Sequence, residues 1–507
     1  MQASNRIIVN TLAQYVRTII NTILSLYSSR LVLDILGVED YGIYSLVAGI
    51  VSMLSFLTNS LVGSTQRFLS IHQGKGNVDK LKGVFSNSLL LHILLGVGIT
   101  FVLALLTPVF FNGFLNIPAG RENIAQSLYL LVIVMVYISF VTSPFRALLV
   151  SRENIVYASV IDVIDGVLKV LLVLLLPYIT FDKLYMYGWI MVFIQLFNLF
   201  AFSIYSFTHY VECIFPKFKY LNLNFVKEMF AFTGWITYSS VSVTLKMQGL
   251  AIVFNKFFGT AMNAAYGIGS QIAGMVSFVS TSFNNAIAPQ LMAAEGGGDR
   301  ARMWTLAEVQ SKCSFLLLAM LGIPVMFEMQ TLLELWLVDV PDYTVLFGCM
   351  FLATQIVDML STGLALANRA IGNIGYYTLM TYTPKLFVLP LAWLALKYGS
   401  PLYVAAVIMF GVEAFCMLLR IWLFRNEKGF HAKKFCQKVI IRSFPPTAVS
   451  IVCCSFFCGA FDFKGRFLVT FPMAVLLFML MAYWFSFSIN ERQKINTIVL
   501  KIFNFAR

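Results

Sequence analysis

Tyr41-Gly42-Ile43-Tyr44-Ser45-Leu46-Val47-Ala48-Gly49-Ile50-Val51-Ser52-Met53-Leu54 returns without a gap as Tyr266-Gly267-Ile268-Gly269-Ser270-Gln271-Ile272-Ala273-Gly274-Met275-Val276-Ser277-Phe278-Val279, with eight of the fourteen positions identical. Asn59 and Asn284 stay in register further along. Each copy is followed by a glycine-rich charged stretch, Gly74-Lys75-Gly76-Asn77-Val78-Asp79 after the first and Gly296-Gly297-Gly298-Asp299-Arg300 after the second. An internal repeat defines an architecture before any single element does. A common need for small residues at helix crossings is the competing explanation; two glycine-rich loops at corresponding positions favour duplication.

The surroundings of the repeat are apolar. The chain has 507 residues, 59% hydrophobic and 12% charged, with a mean hydropathy of +0.82. A soluble domain carries about twice that share of charge, and a disordered chain far less apolar surface. Breaks at charge, glycine and proline give fourteen helix-length apolar segments, roughly 8–30, 42–70, 84–111, 123–146, 155–178, 185–210, 229–254, 263–291, 309–327, 344–367, 374–396, 401–424, 443–460 and 467–488. Each suits the roughly 20 residues a bilayer requires. The two copies open segments 2 and 8, six spans apart. The expected fold is therefore all-α and membrane-integral: two homologous six-helix bundles in parallel orientation plus two C-terminal helices. The expected boundaries are 1–211 for the first bundle, 212–228 for a cytoplasmic linker, 229–425 for the second bundle, 426–442 for a basic cytoplasmic loop, and 443–507 for helices 13 and 14 with a tail.

An even number of spans puts both termini on one side. Of the 36 Lys and Arg residues, 24 fall in the connections and ends on that side and 7 in the alternate connections, leaving 5 inside spans. The positive-inside bias makes the richer side cytoplasmic. The net charge of +13 then reflects loops lying beside an anionic leaflet, and no nucleic-acid partner is needed. The first apolar stretch, from Ile7, runs too long for a signal-peptide core and reads as an uncleaved span. Cys453, Cys454 and Cys458 share an apolar run without a nearby His or acid, so they read as small buried hydrophobes rather than a metal site.

Nine ionisable residues lie within spans: Arg17, Arg67, Lys169, Lys246, Lys385, Asp162, Asp165, Asp358 and Glu413. Each is too costly to face lipid and should face an aqueous cavity or another charge. In span 1, Asn10, Gln14, Arg17, Asn21 and Ser28 draw one polar stripe at helical spacing. In span 5, Asp162, Asp165 and Lys169 share a face, with Asp165 four residues before Lys169 in the favourable order for an ion pair. Ser239, Ser242, Lys246 and Gly249 repeat the pattern in span 7, and Thr378, Thr381 and Lys385 in span 11, next to Pro384. Arg17, Lys246 and Lys385 have no acid on their own helix and read as substrate-binding cations, with Gln14, Asn21, Asn59 and Asn284 as polar neighbours. Asp162, Asp165, Lys169, Asp358 and Glu413 read as cavity ion pairs or coupling-ion groups. Arg67, near the cytoplasmic end of span 2, has the position of a snorkelling side chain. The acid pair Glu39-Asp40 reads as a solvated turn and helix cap, and the competing catalytic reading lacks a histidine on the outer side.

The stretch Leu36-Gly37-Val38-Glu39-Asp40-Tyr41-Gly42-Ile43-Tyr44 resembles the hallmark of polysaccharide flippases in the multidrug/oligosaccharidyl-lipid/polysaccharide exporter superfamily. Fourteen spans in two halves, a glycine-rich loop after span 2 and a basic loop after span 12 extend the resemblance along the chain. It implies a bacterial inner-membrane flippase, cytoplasmic at both termini, that turns undecaprenyl-pyrophosphate-linked oligosaccharide from the cytoplasmic to the periplasmic leaflet by alternating access. It also implies cavity cations on spans 1 and 7, which Arg17 and Lys246 match; Lys385 and Glu413 have no motif counterpart. The expected partners are the lipid-linked oligosaccharide, membrane lipids, and a polysaccharide polymerase or glycosyltransferases. No catalytic residue, metal or cofactor is expected, beyond a coupling H+ or Na+. A drug or cation exporter and a lipid II flippase of the same superfamily are the neighbouring readings. A membrane-embedded polymerase or glycosyltransferase is the alternative from another class.

Overall fold

The computed structural model describes residues 3–52, 55–111, 120–258, 260–336, 340–461, 465–489 and 491–493. Helices make up 88% of the described residues, and no strand occurs among them. That is the physical expectation for backbone in hydrocarbon, where every N–H and C=O must be satisfied within the segment. The helices that matter below are α1 (Ala3–Ser52), α2 (Ser55–Gly74), α3 (Val78–Leu105), α4 (Glu122–Ser151), α5 (Ile155–Leu175), α6 (Lys183–His209), α7 (Leu223–Phe258), α8 (Thr260–Gly296), α9 (Arg300–Phe327), α10 (Thr344–Met359), α11 (Thr362–Ile371), α12 (Ile374–Lys397), α13 (Tyr403–Leu423), α14 (Arg442–Ala460) and α15 (Phe467–Met481).

Nine helical stretches among the described residues are long and apolar enough to cross a bilayer alone, and α10 with α11, bent by 49°, make a tenth. The arm of α1 beyond Gly37 continued by α2, together with α5, α7 and α8, adds four more helix-length stretches. The set is compatible with the fourteen expected spans. Helix α5 falls short on charge rather than length, since Asp162, Asp165 and Lys169 occupy two of its turns.

The chain divides into two compact units, Met1–Ser240 with Ala288–Asp299, and Val241–Ile287 with Arg300–Arg507. The division runs through α7 and α8. In the first unit α1 packs on α5, and α4 packs on α2, α3 and α6. Its core is apolar, with Val32, Val47, Leu128, Val132, Phe140, Val173 and Tyr187 inside. Gly37 breaks α1 at φ 79° and ψ 169°, a conformation essentially reserved for glycine. Asn77, Asn154 and Asp182 cap α3, α5 and α6 by accepting from the amides of Lys80, Tyr157 and Tyr185.

In the second unit α13 packs on α10 and α12, and α9 carries both α10–α11 and α14–α15. Helices α14 and α15 bury Cys453, Cys454, Ala474 and Phe478 against Phe315, Leu318 and Ala319 of α9. No charged residue lies within 443–460 or 467–488, but charge fastens these helices at their ends. Lys312 of α9 donates to Glu491 at 2.7 Å and to the Ser486 carbonyl at 3.3 Å. Glu328, just past α9, accepts from Arg466 Nε at 2.9 Å and Nη2 at 3.1 Å.

Candidate functional site

Apart from Arg67, the in-span charges gather into one constellation per unit. In the first unit Asp162 Oδ2 accepts from Arg17 and from Arg146, each at 2.6 Å. Asp165, three residues on, accepts from Asn198 of α6. A cavity of about 300 Å³ opens beside these groups, lined by Asn21, Ser139, Thr142, Ser143, Arg146, Asp162, Asp165, Gln195, Asn198 and Phe202. The amide oxygens of Asn21 and Asn198 are buried there without a protein partner. Arg17 and Arg146 keep unused N–H donors, because a guanidinium has five and one carboxylate oxygen takes one from each.

In the second unit the charges alternate in a row: Lys246, Glu413, Lys385, Asp358, Arg420. Lys246 lies 3.3 Å from Glu413, Lys385 bonds Glu413 and stands 3.5 Å from Asp358, and Arg420 donates to Asp358 at 2.8 Å. Lys246, Lys385, Glu413 and Arg420 are all at most 7% exposed. Arg420 also donates to Ser361 Oγ at 3.0 Å, so it braces the bend between α10 and α11, where the helix ladder is interrupted. Broken helices in membranes persist where such a partner takes up the freed polar groups. Each constellation thus sets three cations against two carboxylates: Arg17, Arg146 and Lys169 with Asp162 and Asp165, and Lys246, Lys385 and Arg420 with Asp358 and Glu413.

Several sequence expectations need correction here. Arg17, Lys246 and Lys385 are not unpaired cations; their acids come from other helices. Asp165 takes Asn198 rather than Lys169, and among the described residues no ion pair within 4 Å joins Asp165 to Lys169. Asp162 is taken by arginines of two other helices, each through one guanidinium nitrogen. Arg67 does not snorkel but is buried, with its guanidinium 4.8 Å from the Phe68 ring centre and 4.4 Å from that of Phe232. Asp40 is no cap; it bonds Arg121, and the side chain of Glu39 lies outside the described residues. Gln14 is buried and Asn59 exposed. Asn284 accepts from Gln310 Nε2 at 3.2 Å and from the Ser314 hydroxyl, so the two register-matched asparagines do not share an environment. Met53 and Leu54 of the repeat lie outside the described residues.

The family model described as "Polysaccharide biosynthesis protein" matches residues 4–294, more than half of the chain. The chain belongs to this polysaccharide biosynthesis family. The uncharacterized membrane protein EpsK of Bacillus subtilis (strain 168) is 22% identical over 317 residues, which is 62% of this chain and 61% of that protein. The fold is that of the MATE transporters. A MATE structure in the bent conformation superposes with a TM-score of 0.72 at 13% identity, covering 86% of this chain and 97% of the other. An outward-facing multidrug resistance MATE transporter of the MOP superfamily gives 0.71 at 13%, with the same coverage. The Vibrio cholerae MATE transporter VcmN gives 0.72 at 16% over 84% of this chain and 98% of the other.

Family membership leaves two site residues that the sequence reading set aside as loop cations, Arg146 and Arg420. Both had a legible signal. Ser139, Thr142, Ser143 and Arg146 form a stripe at steps of three and four, and Glu413 and Arg420 sit two turns apart on one face of α13.

Proposed function

We propose that this family member is a flippase that moves an undecaprenyl-pyrophosphate-linked oligosaccharide repeat unit from the cytoplasmic to the periplasmic leaflet of the bacterial inner membrane, by alternating access. The observation that carries the reading is the excess of cations over carboxylates at both in-span constellations, one of them open to a polar cavity. A diphosphate crossing low-dielectric space needs compensation, and the arginine pair on Asp162 offers forked donors while keeping the empty site close to neutral. In this mechanism a phosphate oxygen takes the free donors of Arg17 and Arg146 and competes with Asp162 for both. Asn21 and Asn198 turn toward sugar hydroxyls. Lys246, Lys385 and Glu413 hold the second unit in one charge arrangement. The prenyl tail remains in lipid, where an apolar groove of about 450 Å³ lined by Val449, Val452, Phe456, Phe457 and Leu477 offers it a surface. The coupling ion, H+ or Na+, acts in this scheme through Asp165, the carboxylate of the first unit's constellation that among the described residues pairs with no arginine.

Deletion of the gene, followed by lipid extraction, mass spectrometry and leaflet-selective labelling, tests the proposal. Repeat units accumulating on the cytoplasmic leaflet support it. Single repeat units accumulating on the periplasmic leaflet would point to a polymerase or ligase, and no lipid-linked accumulation would favour export of another substrate.

A further inference from the structure

A second cavity in the first unit lies away from the charge constellation, at the end of α1 that the charge bias places in the cytoplasm. It has about 320 Å³ and is lined by Val9, Asn10, Arg152, Glu153, Asn154, Val156 and Tyr210. Its volume sits at the small end of ligand pockets, a size that suits a sugar ring rather than a whole repeat unit.

The walls are unusually well fixed for a loop region. Glu153 has a left-handed backbone, φ 58°, which is costly for a residue with a side chain. Its carbonyl accepts from Asn10 Nδ2 at 2.8 Å, and its carboxylate accepts from Gln290 Nε2 at 3.0 Å. Asn154 donates to the hydroxyls of Tyr205 at 2.8 Å and Tyr210 at 3.1 Å. Tyr205 is itself clamped between Tyr157, with ring centres 3.8 Å apart, and His209 at 4.1 Å. Strain held this firmly by side chains points from structure to a role.

The chemistry of the lining selects among ligands. A phosphate would meet a net negative charge here: the one cation of the lining, Arg152, bonds Glu212 at 2.5 Å through both Nε and Nη2, and Glu153 adds a second carboxylate. What remains is neutral or paired hydrogen-bonding capacity, two valines and the ring of Tyr210. Amide, carboxylate and phenol groups beside an aromatic face recognise a polyhydroxylated ring, whose hydroxyls both donate and accept and whose C–H face is apolar. The position fits too. Asn10 begins the α1 stripe that continues through Gln14 and Arg17 to Asn21, which lines the other cavity. Seven residues of helix put Asn10 about 10 Å from Arg17, so one molecule can reach both.

We infer that the Asn10–Glu153–Asn154–Tyr210 cavity is a sugar-binding subsite that reads the glycan of the lipid-linked substrate on the cytoplasmic side, before its diphosphate engages Arg17. The inference deepens the flippase reading and rests on it for the identity of the glycan. The test uses the full-length protein in lipid nanodiscs and three probes: undecaprenyl diphosphate, the glycolipid fraction extracted from cells deleted for this gene, and the free oligosaccharide that mild acid releases from that fraction. Tyr210→Ala is expected to weaken glycolipid and free oligosaccharide by about tenfold, as losing an aromatic contact does, and to leave undecaprenyl diphosphate unchanged. Tyr210→Phe keeps the ring, stays near the original affinities, and guards against a folding defect. Equal losses for both lipids, no loss for the glycan, or no binding of free oligosaccharide by the unaltered protein would each overturn the subsite. Binding of free oligosaccharide that depends on Tyr210, with neither lipid retained, would instead uphold the subsite and remove the flippase reading.

Discussion

Asp162 is the residue on which the first constellation turns, because two guanidiniums share its one oxygen. Removing it leaves two half-buried cations facing each other, whereas removing Arg17 leaves Asp162 still held by Arg146. Arg17→Ala is therefore expected to keep the protein in the membrane at normal levels while abolishing surface polysaccharide, and Arg17→Lys to recover part of it, since a lysine keeps the charge but not the fork. Normal polysaccharide from Arg17→Ala would remove the cationic-cavity mechanism. Glu413 behaves differently. It lies between Lys246 and Lys385 with almost no exposure, so Glu413→Ala strands the Lys246 ammonium, leaves Lys385 with Asp358 alone, and should cost about 3–5 kcal/mol, read as a lower melting temperature of the purified protein. The double change of Glu413 and Lys246 to methionine should restore part of that loss, and a melting temperature below that of the single variant would show that the pair is not coupled. In the connection before α6, burial pushes the Asp182 carboxyl up, but the amides of Tyr185 and Leu184 and the Arg121 guanidinium outweigh it and hold it below the usual carboxylate range. A depressed carboxyl adds stability that is present above its unfolded value of about 3.9 and lost as pH falls through the folded one. Melting measured from pH 6 down to pH 3 should therefore fall less steeply in Asp182→Asn than in the original protein.

At the scale of elements, the ends of the two repeat copies meet. A side chain at Gly74 would stand 2.0 Å from the Ala293 carbonyl oxygen, and one at Gly296 would stand 2.1 Å from that of Ile71. Backbone lies against backbone in both directions, a reciprocal contact between the ends of α2 and α8 that only glycine permits. The glycine-rich loops that first marked the repeat are thus a crossing point, and their charged residues are secondary. Neither oxygen is the end of a flexible side chain, so neither can step aside. Gly296→Val should separate the helix ends, which cysteines placed at Gln73 and Glu295 would report as lost disulfide crosslinking; unchanged crosslinking would mean that the contact is not tight. Helix α1 shows the same reliance on a single glycine, since Gly37 makes the corner that brings Asp40 to Arg121. The helical spans and the repeat were readable because periodicity and composition are local properties of a chain. The acid partners of Arg17, Lys246 and Lys385 were not, because each lies on a different helix and no spacing within one helix encodes a neighbour across a gap. Arg146 and Arg420 were missed for another reason: they sit near helix ends, where a cation also reads as a topogenic loop residue, and only the polar stripe or the acid on the same face tells the two apart.

For the whole molecule, the same limit explains α14 and α15. Their spans carry no charge, and by composition they are free to drift in lipid. The structure instead pins them to α9 at both ends, through Lys312 with Glu491 at one and Glu328 with Arg466 at the other. Lys312 and Glu328 are buried, so each fastening lies at least partly out of water, where a paired charge is worth keeping and a stranded one is costly. Between the two fastenings the contact is purely apolar, made by Cys453, Cys454, Ala474 and Phe478 on α9. The added helices are therefore part of the second unit and not a detachable appendix. If so, Glu328→Gln and Lys312→Met combined should loosen α14 and α15 while leaving the rest of the second unit folded, because neither residue belongs to the Lys246–Glu413–Lys385 row. Hydrogen exchange is the direct measurement: protection should drop across residues 442–481 and stay unchanged across 403–423. Loss of protection in both regions would mean that the two helices are needed to fold the unit, and loss in neither would mean that the apolar contact alone suffices to hold them.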